Sequence, residues 1–361
     1  MGVFNHEAFA DHEQVVFCND EKTGLKAIIA VHSTALGPAA GGCRMWAYSD
    51  DDLALCDALR LSKGMSYKNA MAGLNLGGGK AVIIGDAKTD KSEDLFRAYG
   101  RFVDSLGGKY ITAEDVGISV SDMEVVSQET SHVAGLNSGL AASGDPSPFT
   151  AHGTFNGIRA AVKYRLGKND VRGLKVAVQG LGHVGWHLCK ELHNAGASLL
   201  VADINDEVVQ HAVQEFGATA VPCDQILYSD ADVVAPCALG AVLNEKSIPL
   251  LKASVVAGAA NNQLAQASDG DLLRSQNVLY APDYVINAGG IINVAAEIEG
   301  NYDRKWVDSK VAAIYDVLID IFERADKENG STSDIADLVA QEKINSAAKI
   351  GVKGKQDQIV A

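Results

Sequence analysis

The stretch "VAVQGLGHVGWHLCKEL", residues 176–192, constrains the fold of this chain more than any other segment. A β-like run leads into glycines spaced G-x-G-x-x-G, and a predicted helix follows. In this pattern Gly180 makes the tight turn, Gly182 allows a pyrophosphate to approach, and Gly185 lets the helix pack on the strand. The first N–H groups of the helix can bind the phosphates. The segment therefore predicts a dinucleotide-binding βαβ unit.

The next predicted strand ends at Asp203, where a ribose-binding carboxylate belongs. A carboxylate there accepts a hydrogen bond from a 2′-hydroxyl and repels a 2′-phosphate, and the following "INDEVV" contains no arginine. NAD is favoured over NADP, and a glycine turn beside a surface aspartate is the alternative. The residues predicted to contact the cofactor here are Gly180, Leu181, Gly182, His183, Val184, Gly185, Asp203 and Ile204.

His183 and His187 are spaced i, i+4 in the same predicted helix, a spacing that suits a metal pair. One of them lies in the phosphate turn, and no carboxylate or cysteine ligand is placed beside them. No metal site is predicted.

Strand-like runs alternate with predicted helices on both sides of a Gly-, Ser- and Pro-rich stretch at 137–149. Before it lie strands 26–32, 80–85 and 109–117, with helices 51–63 and 92–107, the latter capped by Ser92. After it lie a helix capped by Thr150, strands 174–180, 198–203, 231–237, 253–260 and 278–283, and a helical end from about 308. At 361 residues the chain is long for one domain. The pattern predicts an α/β protein of two domains, the second a doubly wound sheet, with 137–149 as boundary or active-site hinge.

Composition narrows the range of partners and compartments. Lys and Arg total 31 against 46 Asp and Glu, a net charge of −15 that repels nucleic acid and anionic membranes. The N-terminal residues do not form a signal-peptide pattern, and the apolar runs fall short of the ~20 residues of a membrane helix. The six cysteines contain no C-x-x-C pair. A soluble cytoplasmic protein with reduced thiols is expected.

The stretch "AGLNLGGGKA", residues 72–81, resembles a phosphate-binding loop but lacks its required residues. A Walker A loop reads G-x-x-x-x-G-K-[ST]. Leu74 occupies the position of the first glycine, and Ala81 replaces the hydroxyl residue that would serve Mg²⁺. The Walker interpretation is excluded.

Lys80 in this stretch is preceded by a second lysine, Lys68. If both face one cleft, each ammonium group raises the free-energy cost of charging the other, as in a catalytic site. Solvated surface lysines are the alternative. The glycine run removes side chains around Lys80 and lets a ligand or backbone come close. From the residues alone, both interpretations remain open.

A series of motifs in order resembles the amino acid dehydrogenases of the Glu/Leu/Phe/Val family, with the leucine dehydrogenases as the most similar members. The motifs span nearly the whole chain: "GPAAGGCRMWAYSDDDLALCDALRLSKGMSYKNAMAGLNLGGGKAVI", "ITAEDVG", "GDPSPFTAHG", "VQGLGHVG", "APCALGAVLN", "VAGAANNQL" and "APDYVINAGGIINV". The resemblance implies a substrate-binding and oligomerisation domain at 1–148, to which helices at about 331–361 return. It also implies a Rossmann-type NAD-binding domain at 149–330, separated from the first domain by a cleft. Members form homo-oligomers, from dimers to octamers.

The resemblance also implies a reaction, the NAD-dependent oxidative deamination of an L-amino acid to a 2-oxo acid and ammonium. Lys68 would bind the substrate carboxylate, Lys80 would activate water, and Asp115 would relay the proton of the substrate nitrogen. Further contacts would come, for the substrate, from Gly41, Gly42, Met65 and Asn262 and, for the nicotinamide, from Thr150, Ala238, Ala260 and Asn261. The glycines at 77–79 are expected to provide clearance for substrate and nicotinamide.

The side-chain pocket implied by the resemblance is lined by Ala40, Ala113, Ala134, Ile291 and Val294. All are apolar, which disfavours glutamate and favours leucine, valine and isoleucine. Small residues at 40 and 134 enlarge the pocket, so phenylalanine is the second choice. A non-catalytic NAD-binding regulatory protein is an alternative, although it would not need Lys68, Lys80 and Asp115 together. A hydroxy-acid dehydrogenase would need a catalytic histidine, and neither His132 nor His152 lies in a motif that supports one.

Overall fold

The computed structural model describes residues 2–136, 145–238, 240–300 and 302–359, and side chains as far as residue 350. The chain forms two compact units. The first comprises Met1–Gly144, Val294–Tyr302 and Ala340–Ala361, and the second comprises Asp145–Asn293 and Asp303–Val339. Residues 137–144 of the predicted hinge lie outside the described residues.

This division differs from the predicted one at Val294–Tyr302. The predicted second domain, 149–330, includes this segment, but in the structure it belongs to the first unit. The carboxylate of Glu297 accepts hydrogen bonds from the backbone N–H groups of Gly135 (2.9 Å) and Leu136 (3.1 Å). A helical pattern in the sequence does not show which unit such a side chain contacts.

The C-terminal return also begins later than predicted, at Ala340 rather than at about 331. Thr332 donates a hydrogen bond to the carbonyl oxygen of Tyr280 at 2.7 Å, within the second unit. Tyr284 likewise donates to the carboxylate of Asp337 at 2.8 Å. These contacts hold the start of the last helix in the second unit.

The first unit is built on a mixed six-stranded sheet. Its strands are β1 (Gln14–Asp20), β2 (Leu25–Ser33), β3 (Ala39–Ala40), β4 (Cys43–Trp46), β5 (Gly77–Ile84) and β6 (Tyr110–Ile111). They follow the order β1-β2-β5-β3-β6, with β4 also paired to β5. β2 is antiparallel to β1 and β5, whereas β3 and β4 run parallel to β5. The helices of this part are α1 (Asp51–Met71), α2 (Glu93–Asp104) and α3 (Val120–Val126).

Alternation along β2 decides which helices cover the two faces of this sheet. Ile28 belongs to a buried cluster with Leu59 of α1. Its neighbour Ile29 belongs to a second cluster with Tyr99 of α2 and Met123 of α3. Successive strand side chains point to opposite faces, so both faces of the sheet are buried. Each large aliphatic side chain buried in this way contributes roughly 1.5–3 kcal/mol.

Caps locate the starts of the helices. The predicted cap at Ser92 is confirmed, because its hydroxyl accepts a hydrogen bond from the N–H of Leu95 at 3.2 Å and α2 starts at the next residue. α1 starts where predicted, with Asp50 accepting from the N–H of Leu53 at 2.9 Å. It continues beyond the predicted end at 63 as far as Met71, so Lys68 lies in the helix.

The glycines at 77–79 are part of β5, which begins earlier than the predicted strand 80–85. A Cβ added at Gly77 would lie 2.0 Å from the carbonyl oxygen of Ser33, and one at Gly78 would lie 2.0 Å from the backbone nitrogen of Ser66. A Cβ at Gly79 would lie 2.6 Å from the ring of Tyr110. The expectation that these glycines provide clearance for substrate and nicotinamide is therefore wrong. They let β5 pack against its own neighbours.

The second unit contains a parallel sheet of six strands in the order β12-β11-β10-β7-β8-β9. The strands are β7 (Lys175–Gln179), β8 (Ser198–Ala202), β9 (Thr219–Ala220), β10 (Val233–Pro236), β11 (Val255–Val256) and β12 (Leu279–Tyr280). The helices that follow α3 are α4 (Ser147–Leu166), α5 (His183–Asn194), α6 (Asp206–Phe216), α7 (Asp269–Ser275), α8 (Asp283–Ile286), α9 (Gly289–Ile298), α10 (Arg304–Ala312), α11 (Ile314–Glu328) and α12 (Thr332–Ile359). The predicted doubly wound sheet is confirmed. Within the described ranges, no helix combines the length and the apolar character needed to cross a membrane.

The predicted cap at Thr150 is wrong, because α4 begins three residues earlier, at Ser147. Pro146 precedes the helix and Pro148 lies in its first turn, where a missing N–H is tolerated. Thr150 is instead inside the helix, where its hydroxyl donates to the carbonyl oxygen of Pro146 at 3.2 Å.

Candidate active site

A lysine–carboxylate pair lies in the first unit. Lys80, carried by β5, is buried, and its ammonium group donates a hydrogen bond to Oδ2 of Asp115. The strand predicted at 109–117 covers only Tyr110–Ile111 in the structure, so Asp115 lies in the loop that follows it. Burial raises the pKa of Asp115, but the cations Lys80 and Arg44 outweigh burial and leave the pKa below its ordinary value. The carboxylate is therefore ionised at neutral pH.

Backbone pairing brings Gly41 and Gly42 next to this pair. The N–H of Gly41 donates to the carbonyl oxygen of Ile111 at 3.1 Å, and the carbonyl oxygen of Gly42 accepts from the N–H of Ala81 at 3.3 Å. A Cβ on Gly42 would lie 2.9 Å from Cβ of Asp115. Only glycine lets this segment approach the Asp115 loop so closely.

The last turns of α1 place Met65 and Lys68 against the same strands. A Cβ on Gly41 would lie 3.2 Å from Cγ of Met65. Lys68 follows Met65 by one helical turn, so the two share a face, and the lysine is half-buried. The side-chain amide of Asn69 donates to the carbonyl oxygen of Gly77 at 2.5 Å and locks α1 to β5. Gly41, Gly42, Met65, Lys80 and Asp115 are thus brought together, with Lys68 on the same helix face as Met65.

Three of the predicted side-chain pocket residues lie on neighbouring segments of the first unit. Ala40 pairs with Ile111 in parallel register. Ala113 accepts a hydrogen bond from the N–H of Cys43 at 2.8 Å. The N–H of Ala134 donates to the carbonyl oxygen of Thr112, also at 2.8 Å. Of the other two, Val294 belongs to the first unit and Ile291 to the second.

An ionic network behind Asp115 was missed at the sequence level. Arg44, on β4, lies with its Nε 3.5 Å from Oδ2 of Asp115, and its Nη1 donates to Asp57 of α1 at 2.9 Å. Tyr48 and Arg60 donate to the same Asp57 carboxylate, both at 2.9 Å. The sequence feature that could have indicated Arg44 is an arginine between the apolar residues Cys43 and Met45 in "GGCRMW". Both neighbours are buried in the structure. Nothing local in the sequence marks Asp57.

The glycine turn of the second unit has the shape of a phosphate site. Gly180 has a φ of +96°, a conformation that favours glycine. A Cβ on Gly185 would lie 2.0 Å from the carbonyl oxygen of Gly180, so α5 packs directly against the turn. A Cβ on Gly182 would meet no atom within 4 Å. Among the described residues, no side chain caps α5, which begins at His183 and continues with Val184. Its first N–H groups can therefore bind a pyrophosphate.

Asp203 follows β8 beside this turn. Its Oδ2 accepts a hydrogen bond from the N–H of Leu181 at 2.7 Å, and its Oδ1 accepts from the N–H of Asn205 at 2.9 Å. These two bonds hold the carboxylate in one orientation and leave further lone pairs for a ribose hydroxyl. Ile204, which follows it, is 95% exposed. This oriented acceptor fits the hydroxyl groups of a ribose.

Two side-chain amides, those of Asn287 and Gln263, hold the segment that contains Ala260 and Asn261, which are predicted to contact the nicotinamide. Asn287 donates to the carbonyl oxygen of Ala259 at 3.0 Å and to Oδ1 of Asn261 at 2.7 Å. Gln263, fully buried, donates to the carbonyl oxygens of Gly258 (2.8 Å) and Ala260 (3.0 Å).

These bonds surround Asn262, which has a φ of +52°. Ala238 adjoins the glycine turn, since a Cβ on Gly180 would lie 2.8 Å from Cβ of Ala238. A Cβ on Gly290 would lie 2.7 Å from the Thr150 hydroxyl, so Thr150 lies beside the start of α9.

Two family models match the chain. The Glu/Leu/Phe/Val dehydrogenase dimerisation domain matches residues 12–132, and the glutamate/leucine/phenylalanine/valine dehydrogenase domain matches residues 201–350. The chain belongs to the Glu/Leu/Phe/Val dehydrogenase family. It is an amino acid dehydrogenase whose reaction uses a nicotinamide cofactor.

Individual members of the family resemble the chain over nearly its full length. A leucine dehydrogenase from Geobacillus stearothermophilus is 52% identical over 97% of this chain and 95% of its own length. A valine dehydrogenase from Streptomyces virginiae is 46% identical over 95% of this chain and 96% of its own. The structure of L-tryptophan dehydrogenase from Nostoc punctiforme is similar with a TM-score of 0.83 and 47% identity, covering 93% of this chain and 97% of that one.

Proposed function

We propose that this protein catalyses the reversible, NAD-dependent oxidative deamination of branched-chain L-amino acids. An L-amino acid, NAD⁺ and water give a 2-oxo acid, ammonium, NADH and a proton. The observation that carries the proposal is the buried contact of Lys80 with Asp115, because it supplies both proton-handling groups of such a reaction in one place. The similarity to leucine and valine dehydrogenases supports the substrate class.

Substrate binding and the first proton transfer are assigned to Lys68 and Asp115. The Lys68 ammonium group pairs with the substrate α-carboxylate, and Gly41, Gly42 and Met65 border the same space. The substrate nitrogen enters as an ammonium ion. It must become a neutral amine before hydride can leave Cα, because its lone pair stabilises the positive charge that develops there. The ionised Asp115 takes that proton.

The second half of the reaction is assigned to Lys80. A nicotinamide cofactor bound in the second unit would supply the acceptor for the hydride from Cα. The substrate is then an iminium ion. Lys80, after its ammonium group has lost a proton to solvent, takes a proton from the water that attacks the iminium carbon. Asp115 returns its proton to the carbinolamine nitrogen, the C–N bond breaks as the hydroxyl group loses its proton, and ammonia leaves to become ammonium in solution. Asn262 holds the substrate amino or carboxylate group, and Thr150, Ala238, Ala260 and Asn261 contact the nicotinamide side.

The preference for NAD rests on Asp203. Its carboxylate, held by the N–H groups of Leu181 and Asn205, would repel a 2′-phosphate and accept a hydrogen bond from a 2′-hydroxyl. The glycine turn and the first residues of α5, His183 and Val184, bind the pyrophosphate. Ile204, being exposed, offers an apolar surface to the adenosine half.

The substrate side chain is assigned to Ala40, Ala113, Ala134, Ile291 and Val294. Since none carries a charge, an acidic substrate would lose its hydration without gaining a partner. Aromatic L-amino acids are a second candidate, since alanine at 40 and 134 leaves room and an L-tryptophan dehydrogenase is among the similar proteins. One methylene is worth only about 1–3 kcal/mol of discrimination, so several branched side chains are accepted.

A substrate panel tests the proposal. We expect kcat/KM for L-leucine, L-valine and L-isoleucine to exceed that for L-glutamate by at least about tenfold, because the glutamate side-chain carboxylate would be buried without a partner. NAD⁺ is expected to be preferred over NADP⁺. A higher kcat/KM for L-phenylalanine would move the assignment to an aromatic amino acid dehydrogenase. Binding of NADH without turnover of any amino acid would instead support a regulatory protein.

We also propose that the protein is a cytoplasmic homo-oligomer of between two and eight subunits. The matched N-terminal model is described as a dimerisation domain, which supports self-association. Light scattering of the purified protein measures the subunit number, and a monomer at micromolar concentration would contradict the proposal.

A further inference from the structure

Asp115 is in contact with a second cation besides Lys80. The guanidinium Nε of Arg44 lies 3.5 Å from the same Oδ2 atom that accepts the hydrogen bond from Lys80. The Arg44 side chain is 22% exposed, so solvent screens this pair only in part. Nε itself is buried and makes no hydrogen bond within the described part of the chain. Its contact with Asp115 is therefore one of charge rather than of directed hydrogen bonding.

Arg44 is held from its other end by Asp57. The Asp57 carboxylate accepts hydrogen bonds from Nη1 of Arg44, from the hydroxyl of Tyr48 and from Nη2 of Arg60, each at 2.9 Å. A guanidinium group has donors on separate nitrogens, so one nitrogen can be anchored while another faces a second carboxylate. The contacts of Arg44 with Asp57 and Asp115 thus link α1 to the Asp115 loop through β4.

The two cations beside Asp115 behave differently during the proposed reaction. Lys80 must be neutral when it takes the proton from water, and at that moment it no longer supplies a positive charge. A guanidinium group stays protonated at any pH at which an enzyme works. Arg44 is therefore the constant positive charge beside Asp115 throughout the cycle.

We propose that Arg44 is a positioning residue that keeps Asp115 ionised and in place, so that Asp115 can take the proton of the substrate ammonium group. In that step an N–H bond of the substrate breaks, an O–H bond forms on Asp115, and the electron pair stays on nitrogen. Asp57 anchors Arg44 and partly offsets its charge. The inference rests on the role proposed for Asp115.

The groups that face Asp115 make the direction of the effect definite. They are Lys80 from β5, Arg44 and the Cys43 thiol from β4, and the Tyr110 hydroxyl from β6. Burial raises the pKa of the Cys43 thiol to about 12, and burial likewise raises the pKa of Tyr110, so both are neutral at working pH. The two cations, together with a hydrogen bond from the Val116 N–H, hold the Asp115 carboxylate ionised.

The test is the acid limb of the pH profile of hydride transfer, measured as the first-turnover rate of NADH formation with L-leucine and NAD⁺, because Lys80 acts as base only after that step. Arg44→Gln is expected to move the acid limb to higher pH by about one unit or more, the usual effect of losing an arginine beside an aspartate. Asp57→Asn keeps a hydrogen-bond acceptor but removes the charge that offsets Arg44, so the limb should move to lower pH. Lys26→Gln is the matched control, because Lys26 is exposed on β2 and lies outside this network, and its limb should stay in place.

Shifts of the acid limb in opposite directions, upward in Arg44→Gln and downward in Asp57→Asn, distinguish an electrostatic role of Arg44 from a role in packing. Equal activity losses in Arg44→Gln and Asp57→Asn, with the acid limb unmoved in both, would overturn the inference. Arg44→Lys keeps a cation and should hold the limb closer to the wild-type position than Arg44→Gln does; a limb as high as that of Arg44→Gln would also overturn it. A circular-dichroism spectrum and a urea unfolding midpoint equal to those of the wild type verify that each variant is folded.

Asp115→Asn separates this inference from the proposed function. If Asp115→Asn turns over normally, the role of Asp115 in the proposed function is wrong. If Asp115→Asn is inactive and Arg44→Gln leaves the acid limb unmoved, only the inference about Arg44 fails.

Discussion

Lys80 and Asp115 differ from a surface ion pair because the lysine is almost fully removed from water. Exposed pairs contribute about 0–1 kcal/mol, since water screens them and ordering two long side chains costs entropy. Here Lys80 is 6% exposed and contacts a carboxylate that Arg44 also faces. Burying a charge is costly unless it has such partners, and buried partnered charges concentrate at working sites.

The first prediction concerns the base. Lys80→Ala is expected to abolish turnover, a fall in kcat of at least about 100-fold, because general acid–base groups typically contribute that much or more. Binding of NADH should persist, since the proposed nucleotide site lies in the other unit. Fluorescence titration with NADH and steady-state kinetics measure the two effects.

Lys26→Ala is the matched control for this variant, because Lys26 is exposed on the neighbouring strand β2. It should behave as the wild type in both assays. A kcat for Lys80→Ala close to that of Lys26→Ala would rule out the proposed mechanism.

The second prediction concerns the substrate carboxylate. Lys68→Ala is expected to raise the KM for L-leucine by at least about tenfold, because a hydrogen bond to a charged group contributes roughly 1.5–3 kcal/mol. Initial rates over a range of L-leucine concentrations measure it. Lys63→Ala, on the same helix, is the control and should leave KM unchanged; an unchanged KM in Lys68→Ala too would remove Lys68 from the carboxylate site.

At the scale of elements, β5 shows how a short sequence pattern can have two meanings. Three consecutive glycines before a lysine suggest a loop that surrounds a ligand. In the structure they are a buried strand, and the space that their side chains would fill holds Ser33, Ser66 and Tyr110. The fully buried Tyr110 donates to the carbonyl oxygen of Gly41 at 2.6 Å, so the same packing also holds the Gly41–Gly42 segment.

The third prediction follows from this packing. Gly78→Ala should lower the free energy of unfolding by about 1–3 kcal/mol, the usual cost of forcing atoms into a filled core, because its Cβ would lie 2.0 Å from Ser66. Urea unfolding followed by circular dichroism measures the change. Gly182→Ala is the matched control, since its Cβ would meet no atom within 4 Å, and it should unfold like the wild type. Equal stability of the two variants would contradict the role assigned to the glycine strand.

Prediction from sequence succeeded for elements whose signals are local. The Ser92 cap, the alternation in the second half and the turn at Gly180 each depend on residues within a few positions of one another. It failed at Thr150 and at the start of β5, where a proline pair and contacts with distant segments decide the boundary.

For the whole molecule, two buried histidines make the stability of the first unit depend on pH. Nε2 of His12 lies 3.0 Å from the carbonyl oxygen of Leu59, and Nδ1 of His32 lies 2.8 Å from the hydroxyl of Ser66. The two imidazole rings pack edge to face, with their centroids 4.9 Å apart. Burial, and then the nearby His12 and Lys63, lower the pKa of His32 from 6.5 to about 4. Burial also lowers the pKa of His12.

The fourth prediction is the resulting loss of stability in acid. Between pH 6.5 and about 4 the unfolded chain binds a proton at His32 that the folded protein does not. Stability from this group is therefore complete above pH 6.5 and falls as the pH drops toward 4, by up to about 3 kcal/mol. Urea unfolding midpoints at several pH values measure the slope.

His32→Gln removes the titrating group and should give a shallower slope than the wild type over this range. His211→Gln is the control, because His211 is exposed on α6, and its slope should equal that of the wild type. A slope in His32→Gln as steep as in the wild type would contradict the assignment to His32.

The sequence by itself determined the α/β alternation, the nucleotide turn from Gly180 to Gly185 and the family of the chain. Turn chemistry, capping and hydrophobic periodicity act between residues close in the chain, so they can be read without a structure. Only the tertiary structure decided that Arg44 meets Asp115 while Asp57 anchors it, and that the glycines before Lys80 serve packing. Those contacts join β4, α1, β5 and a distant loop, and no local pattern specifies which side chains meet once a sheet and its helices have formed.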